Sequence, residues 1–300
     1  MINKINIIHK KFFVILSIVS LLVFYTFTFS PSIDYQVYFL FGLVSAIGIP
    51  HGFFDFSIGK KIFKKYHKKW ILYFTLSYIF ISFIYLIAWF FSPGLSLLLF
   101  LFLAAYHFGF EDYNYMQETN KVVHIDINIF IKGLIIVFTP ILFHFDQVNY
   151  LFSVLIGYKI NGIEFSIIQK ILFIFLSVTH ILFEKKKSYL HKIEGILCFL
   201  NFVILPPLVS FILYFCFMHS IRHFLESIYI SKLVPNNFTT RNFLIVIILT
   251  SVVFSILSVF FISNFYEISI SDTVIKFIFI ILACLTLPHM IFNMVPYNKE

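Results

Sequence analysis

The chain has 300 residues, of which 60% are apolar and 12% charged, and its mean hydropathy is +0.96. A water-soluble domain of this length has too little interior to hide that much apolar surface, so a soluble enzyme is excluded. The formal charge of +8 is carried by lysines in short loops between apolar runs, where it orients a chain in a lipid bilayer; no nucleic-acid partner is implied.

Apolar segments long enough to cross the hydrocarbon, about 20 residues each, fall at 11–29, 37–59, 70–91, 94–110, 127–144, 165–183, 191–206, 207–228, 242–262 and 273–292. The fold class expected is all-α: a polytopic integral membrane helical bundle of about ten transmembrane helices, forming a single membrane domain over 1–300. Lys10 and Lys11 precede the first segment as they would a signal peptide, but no small-residue cleavage site follows, so a retained helix is expected.

The basic residues alternate with the segments. Lys4, Lys10 and Lys11 precede the first; KKIFKKYHKK (60–69) follows the second; Lys185, Lys186 and Lys187 follow the sixth; Lys232 and Arg241 follow the eighth; Lys299 follows the tenth. Segments 30–36 and 263–272 have no Lys or Arg, and 145–164 has only Lys159. The positive-inside rule then places both termini in the cytoplasm of a multi-pass protein of the cell inner (plasma) membrane. Cys198, Cys216 and Cys284 all lie in apolar runs without CxxC spacing, so neither a disulfide nor a zinc finger is expected.

Eleven histidines carry the chemistry. His9, His67, His124 and His191 lie in or beside loops and His144 at an outer end, so these are expected to be solvated or interfacial. Among those within spans, His51, His107, His219, His223 and His289 lie about 12–16 residues into spans that all run inward. At 1.5 Å per residue they share one depth, in the cytoplasmic half, as one metal or cofactor site between helices requires. His180, beside the lysine loop, reads as interfacial.

His219 and His223 are spaced i, i+4 and so project from one helix face. His51, His107 and His289 each have a polar partner four residues on, namely Asp55, Glu111 and Asn293, and Glu226 follows His223 by three; such groups accept the second ring N–H of a ligating imidazole. Pro50 and Pro288 precede two of the histidines and bend helices, while Gly52 and Gly109 allow close helix approach. Arg222 is expected to pair with Glu111, Asp55 or Glu226. Histidine ligation without cysteine suits Fe(II), Zn or Cu, and a two-histidine, one-carboxylate set using Asp55 or Glu111 stays open.

The segments GIPHGFFD (48–55), AAYHFGFED (104–112), MHSIRH (218–223) and LPHM (287–290) resemble, in order, four signature segments of the Brp/Blh-type bacterial and archaeal β-carotene 15,15′-dioxygenases, over roughly 37–292. The resemblance implies an Fe(2+)-dependent membrane enzyme whose substrates are β-carotene and O₂. It cleaves the central double bond to give two all-trans-retinal molecules, with a functional link to a retinal-binding rhodopsin. It also implies His51, His107, His219 and His223 as iron ligands and His289 as a fifth ligand or pocket residue; Asp55, Glu111, Arg222, Glu226 and Asn293 are expected, from their spacing, as supporting groups. Tyr106 and Tyr214 are candidates to line a substrate tunnel.

Four readings compete with it. A di-iron desaturase needs an HxxHH box, which the sequence lacks. A bis-histidine haem protein pairs imidazoles across two helices. A metal or proton transporter needs a polar trail across the membrane. The fourth is a non-catalytic protein that binds carotenoid or retinal.

Overall fold

The computed structural model describes residues 2–26, 31–66, 68–115, 127–184, 188–229, 240–265 and 269–294. The described residues form helices without a strand. His67, His124, Lys185, Lys186, Lys187, Lys232 and Lys299 lie outside them.

Among the described residues every apolar segment of the sequence is largely helical. In order they are α1 (Ile2–Thr26), α2 (Ile33–Leu43) with α3 (Phe54–Phe63), α4 (Trp70–Phe91), α5 (Pro93–Asn114), α6 (Ile127–Phe143) and, after α7 (Phe145–Ile156), α8 (Ile167–Phe183), α9 (Tyr189–Ile204), α10 (Pro207–Ile212) with α11 (Ile221–Tyr229), α12 (Thr240–Phe265) and α13 (Ile270–Met294). Pro93 and Pro207 start their helices where a missing amide costs nothing. Ser166 caps α8 through a reciprocal bond with Gln169, and Ser188 caps α9.

Among the described residues, seven helices are long and apolar enough to cross a membrane, or eight if α6 and α7, bent by 103° at their junction, make one broken span. The protein is a multi-pass membrane protein. The sequence reading had ten spans. The difference lies in α8 and α9, of 17 and 16 residues, whose rise of roughly 25 Å falls short of the roughly 30 Å hydrocarbon core. The segment expected as the loop 145–164 begins with α7, which Gly157 ends in a left-handed turn at φ 87°.

Two spans are broken where they carry histidines. Between α2 and α3 the chain makes a wide π turn (Val44–Gly48) and then a tight 3₁₀ turn (Pro50–Phe53); between α10 and α11 it makes a π turn over Leu213–Ser220. Pro50 lacks the amide that a continuous helix would bond there. Both breaks re-aim side chains relative to a straight 3.6-residue helix.

The closest helix contact is α5 on α6. A Cβ on Gly109 would stand 1.9 Å from the Ile129 carbonyl oxygen, and one on Gly133 would stand 1.6 Å from that of Ala105. Gly52, expected to serve the same purpose, does not: a Cβ there meets only Asp55, at 3.9 Å. At the opposite extreme, α4 and α12 are mostly exposed apolar surface suited to lipid. Helix α1 is bound into the bundle: Phe13 is fully buried and Ser17 accepts a bond from Asn201 at 2.9 Å.

Candidate metal centre

The broken spans, α5 and α13 bring five imidazoles together. Ring centres lie 5.5, 5.3 and 5.4 Å from His51 to His219, His223 and His289. His107 is 4.8 Å from His219 and 5.0 Å from His289, and His223 is 5.1 Å from His289. Imidazoles sharing one ion, each with a metal–nitrogen distance of about 2.0–2.1 Å, have centres about 4.5–5.2 Å apart. His107 Nε2 and His219 Nε2 face each other at 3.2 Å, the spacing of two donors on one ion.

The outer nitrogens show which way the rings point. His51 Nδ1 donates to the Gly48 carbonyl, which the π turn brings within reach. His289 Nδ1 bonds both oxygens of Asp55, at 2.8 and 2.9 Å. Each bond leaves Nε2 as the basic nitrogen. Among the described residues no three His, Cys, Asp or Glu side chains already form a closed ligand set. The donors fit a metal in type, and the His107–His219, His107–His289 and His223–His289 spacings fall within the range for a shared ion, while His51, at 5.3–5.5 Å from its neighbours, stands slightly outside it.

Asp55 serves His289 rather than His51, its expected partner. The 3₁₀ turn over Pro50–Phe53 takes residues 51 and 55 off a common helix face. Tyr78 donates to Asp55 Oδ2 at 2.9 Å, and Asn293 reaches Oδ1 at 3.4 Å. Glu111 and Glu226 are buried one turn beyond His107 and His223. The sequence reading missed Tyr78; one tyrosine among 17 carried no signal.

An apolar cavity of about 170 Å³ opens from the cluster, smaller than the roughly 300–1,000 Å³ typical of small-molecule pockets. His51, His107 and His289 line it at one end. Phe100, Ile136, Pro140, Leu151, Phe211 and Phe279 line it towards α7. Tyr106 and Tyr214, the tyrosines expected there, are not in its wall. Tyr214 is buried behind it against Phe108 and Phe202.

A second polar cluster lies beside the first. Arg222 donates to Asp112 Oδ1 at 2.5 Å and to Glu194 Oε2, and lies 4.6 Å over the Tyr115 ring. These partners replace the expected Glu111, Asp55 or Glu226. Glu184 bridges Lys132 at 3.1 Å and His191 at 3.4 Å. Burial pushes the Glu184 carboxyl up, but His191 and Lys132 outweigh it and hold it down at about 2. His9 and His191, expected to be solvated, are both buried. His9 donates to the Phe217 carbonyl at 3.0 Å. Glu194 was missed, although a carboxylate inside an apolar run was a signal that could have found it. His144 and His180 are only half-buried.

The model of the family described as β-carotene 15,15′-dioxygenase matches residues 42–295. The chain belongs to the β-carotene 15,15′-dioxygenase family. A curated relative, the β-carotene 15,15′-dioxygenase of uncultured marine bacterium 66A03, is 31% identical over 259 residues, 83% of this chain and 90% of the relative. No solved structure matches. Family membership makes the chain a dioxygenase, and all five clustered histidines fall within the matched residues.

Proposed function

We propose that this family member cleaves the central 15,15′ double bond of β-carotene with O₂, giving two all-trans-retinal molecules, with Fe(2+) as its metal. The observation that carries the reading is the position of five imidazoles at the end of an apolar cavity inside a membrane bundle. Fe(2+), when bound, supplies the activation of O₂, which no side chain here can provide. His51, His107, His219 and His223 would hold it. His289, oriented by Asp55, is the fifth donor or a pocket wall. The apolar lining takes up a polyene dissolved in the bilayer and excludes water from the reacting bond.

The transport reading lacks support, because the cavity beyond the histidines is apolar where a transport path needs a polar trail. We place the protein in the inner membrane with both termini cytoplasmic. The short α8–α9 hairpin preserves this arrangement whether or not it spans fully, since it adds two crossings or none. Retinal is the natural product to pass to a rhodopsin.

The test is expression in β-carotene-accumulating bacteria. Loss of yellow pigment with formation of retinal is expected, suppressed in membranes by an iron chelator. Unchanged β-carotene with well-inserted protein would favour a non-catalytic carotenoid-binding role.

A further inference from the structure

The cavity reaches in one direction only. Its wall on α13 runs from Phe279 to His289, ten residues or about 15 Å at helical rise. On α5 it stops at Phe108, one residue past His107, and on the α2–α3 span it stops at Gly52, one past His51. The histidines therefore close the cavity, whereas a central cut of a symmetric polyene needs equal room on both sides of the reacting bond.

At the closed end stands Tyr78. It is the one residue of α4 in the cavity wall, and α4 is otherwise mostly lipid-facing. Its hydroxyl donates to Asp55 Oδ2 at 2.9 Å, with the Leu285 carbonyl at 3.3 Å. Its ring stacks on Phe292, with centres 6.0 Å apart and planes at 14°, and lies edge-on to Phe74 at 5.6 Å. Behind it is a separate apolar cluster of Phe54, Ile58, Phe74, Phe224 and Phe292.

Resting on the cleavage reading above, we propose that Tyr78 is a specificity-determining residue: its side chain occupies the path of the second half of the substrate, and its displacement admits polyenes that extend beyond the histidines. The hydroxyl bond to Asp55 holds the ring in place. The apolar cluster behind provides a surface on which the second half can lie. A one-ring apocarotenal whose chain ends shortly past the central bond fits the existing arm and does not need Tyr78 to move.

The test compares cleavage of β-carotene with cleavage of such an apocarotenal by the same preparation. The ratio of the two kcat/KM values does not depend on the folded or iron-loaded fraction. Tyr78→Trp should lower the ratio at least tenfold, Tyr78→Phe should leave it within threefold, and Tyr78→Ala should raise it. Binding of β-carotene to metal-free protein, read from the polyene absorption band, should follow the same order. A ratio and a binding order that do not change with side-chain size would overturn the role of Tyr78 while leaving the cleavage reading intact. A wild-type protein that cleaves neither substrate would overturn both.

Discussion

The protein carries two buried polar clusters side by side, and they are built on opposite principles. In the histidine cluster five rings of one kind converge; a backbone carbonyl holds His51 Nδ1 and a carboxylate holds His289 Nδ1, and three of the rings line an apolar cavity. In the arginine cluster the charges close on one another: Arg222 on Asp112 and Glu194, Glu184 on Lys132 and His191. Neutral imidazoles can be left facing an empty space in a membrane at modest cost, because they carry no charge to desolvate. A guanidinium cannot, so its partners come from α5 and α9 to meet it. The first arrangement is one of donors in reserve; the second is a clamp that holds α5, α9 and α11 in register. Arg222 lies between His219 and His223 in sequence, so the clamp fixes the helix that presents two of the five rings.

The two clusters should fail differently. The largest effect is expected at the histidines. Alanine at His51, His107, His219 or His223 should lower retinal formation by more than roughly 100-fold in assays on membranes, since a lost first donor exceeds the roughly 10–100-fold loss typical of supporting groups, with insertion unchanged. His144→Ala and His180→Ala, both outside the cluster, should stay active. Active His219→Ala beside inactive controls would reverse the assignment.

Breaking the clamp should cost stability instead. Asp112→Ala leaves Arg222 short of a partner, and the loss of one member of a buried ion pair costs about 3–5 kcal/mol. A large fall in apparent Tm in detergent is expected, with iron per folded molecule retained. Full stability with iron lost would merge the two clusters into one functional unit.

Asp55→Asn sharpens the boundary between them. Asparagine keeps the shape but is a poorer acceptor for His289 Nδ1 and for the Tyr78 hydroxyl. Iron affinity should fall about 10–100-fold, as for groups that orient a metal-binding imidazole. An effect as severe as that of His219→Ala would make Asp55 a ligand in its own right.

The smallest effect is at the edge of the clamp. Glu184 is held at about 2 in the folded protein, below the roughly 4.3 of an unperturbed glutamate. Its contribution to stability is therefore present above that ordinary value and is lost as pH falls towards about 2. Glu184→Gln should flatten the acid side of a Tm-against-pH curve below about pH 4.5 and leave the neutral side nearly parallel. An unchanged acid side would show that the pair with Lys132 and His191 carries no stability.

The histidine cluster was legible in the sequence because its signal is one of depth: five like residues at similar distances along four spans of the same direction. The clamp was not, because Asp112, Glu194 and Glu184 come from three places with no shared spacing, and His9 and His191 looked like loop residues until α1 and α9 packed over them. Local pairing was also misjudged where the helix breaks. The i, i+4 rule holds in a straight helix, and the 3₁₀ turn after Pro50 removes it, sending Asp55 across to α13. In α13, continuous through Pro288, Asn293 does lie beside His289, but its amide donates to the His289 backbone carbonyl at 2.9 Å while Asp55 takes the ring Nδ1. Helix α7 escaped notice because twelve residues with Asp, Gln and Asn near its start read as a loop.

The claim on which the rest depends is that His51, His107, His219 and His223 bind one metal ion together. Its most direct test is elemental analysis of protein purified in detergent from cells grown with iron, comparing wild type with His51→Ala, His219→Ala and His180→Ala. The account predicts about one iron per chain in wild type and His180→Ala, and almost none in the other two. Equal iron in all four proteins, or none in a wild-type protein that still forms retinal, would contradict it.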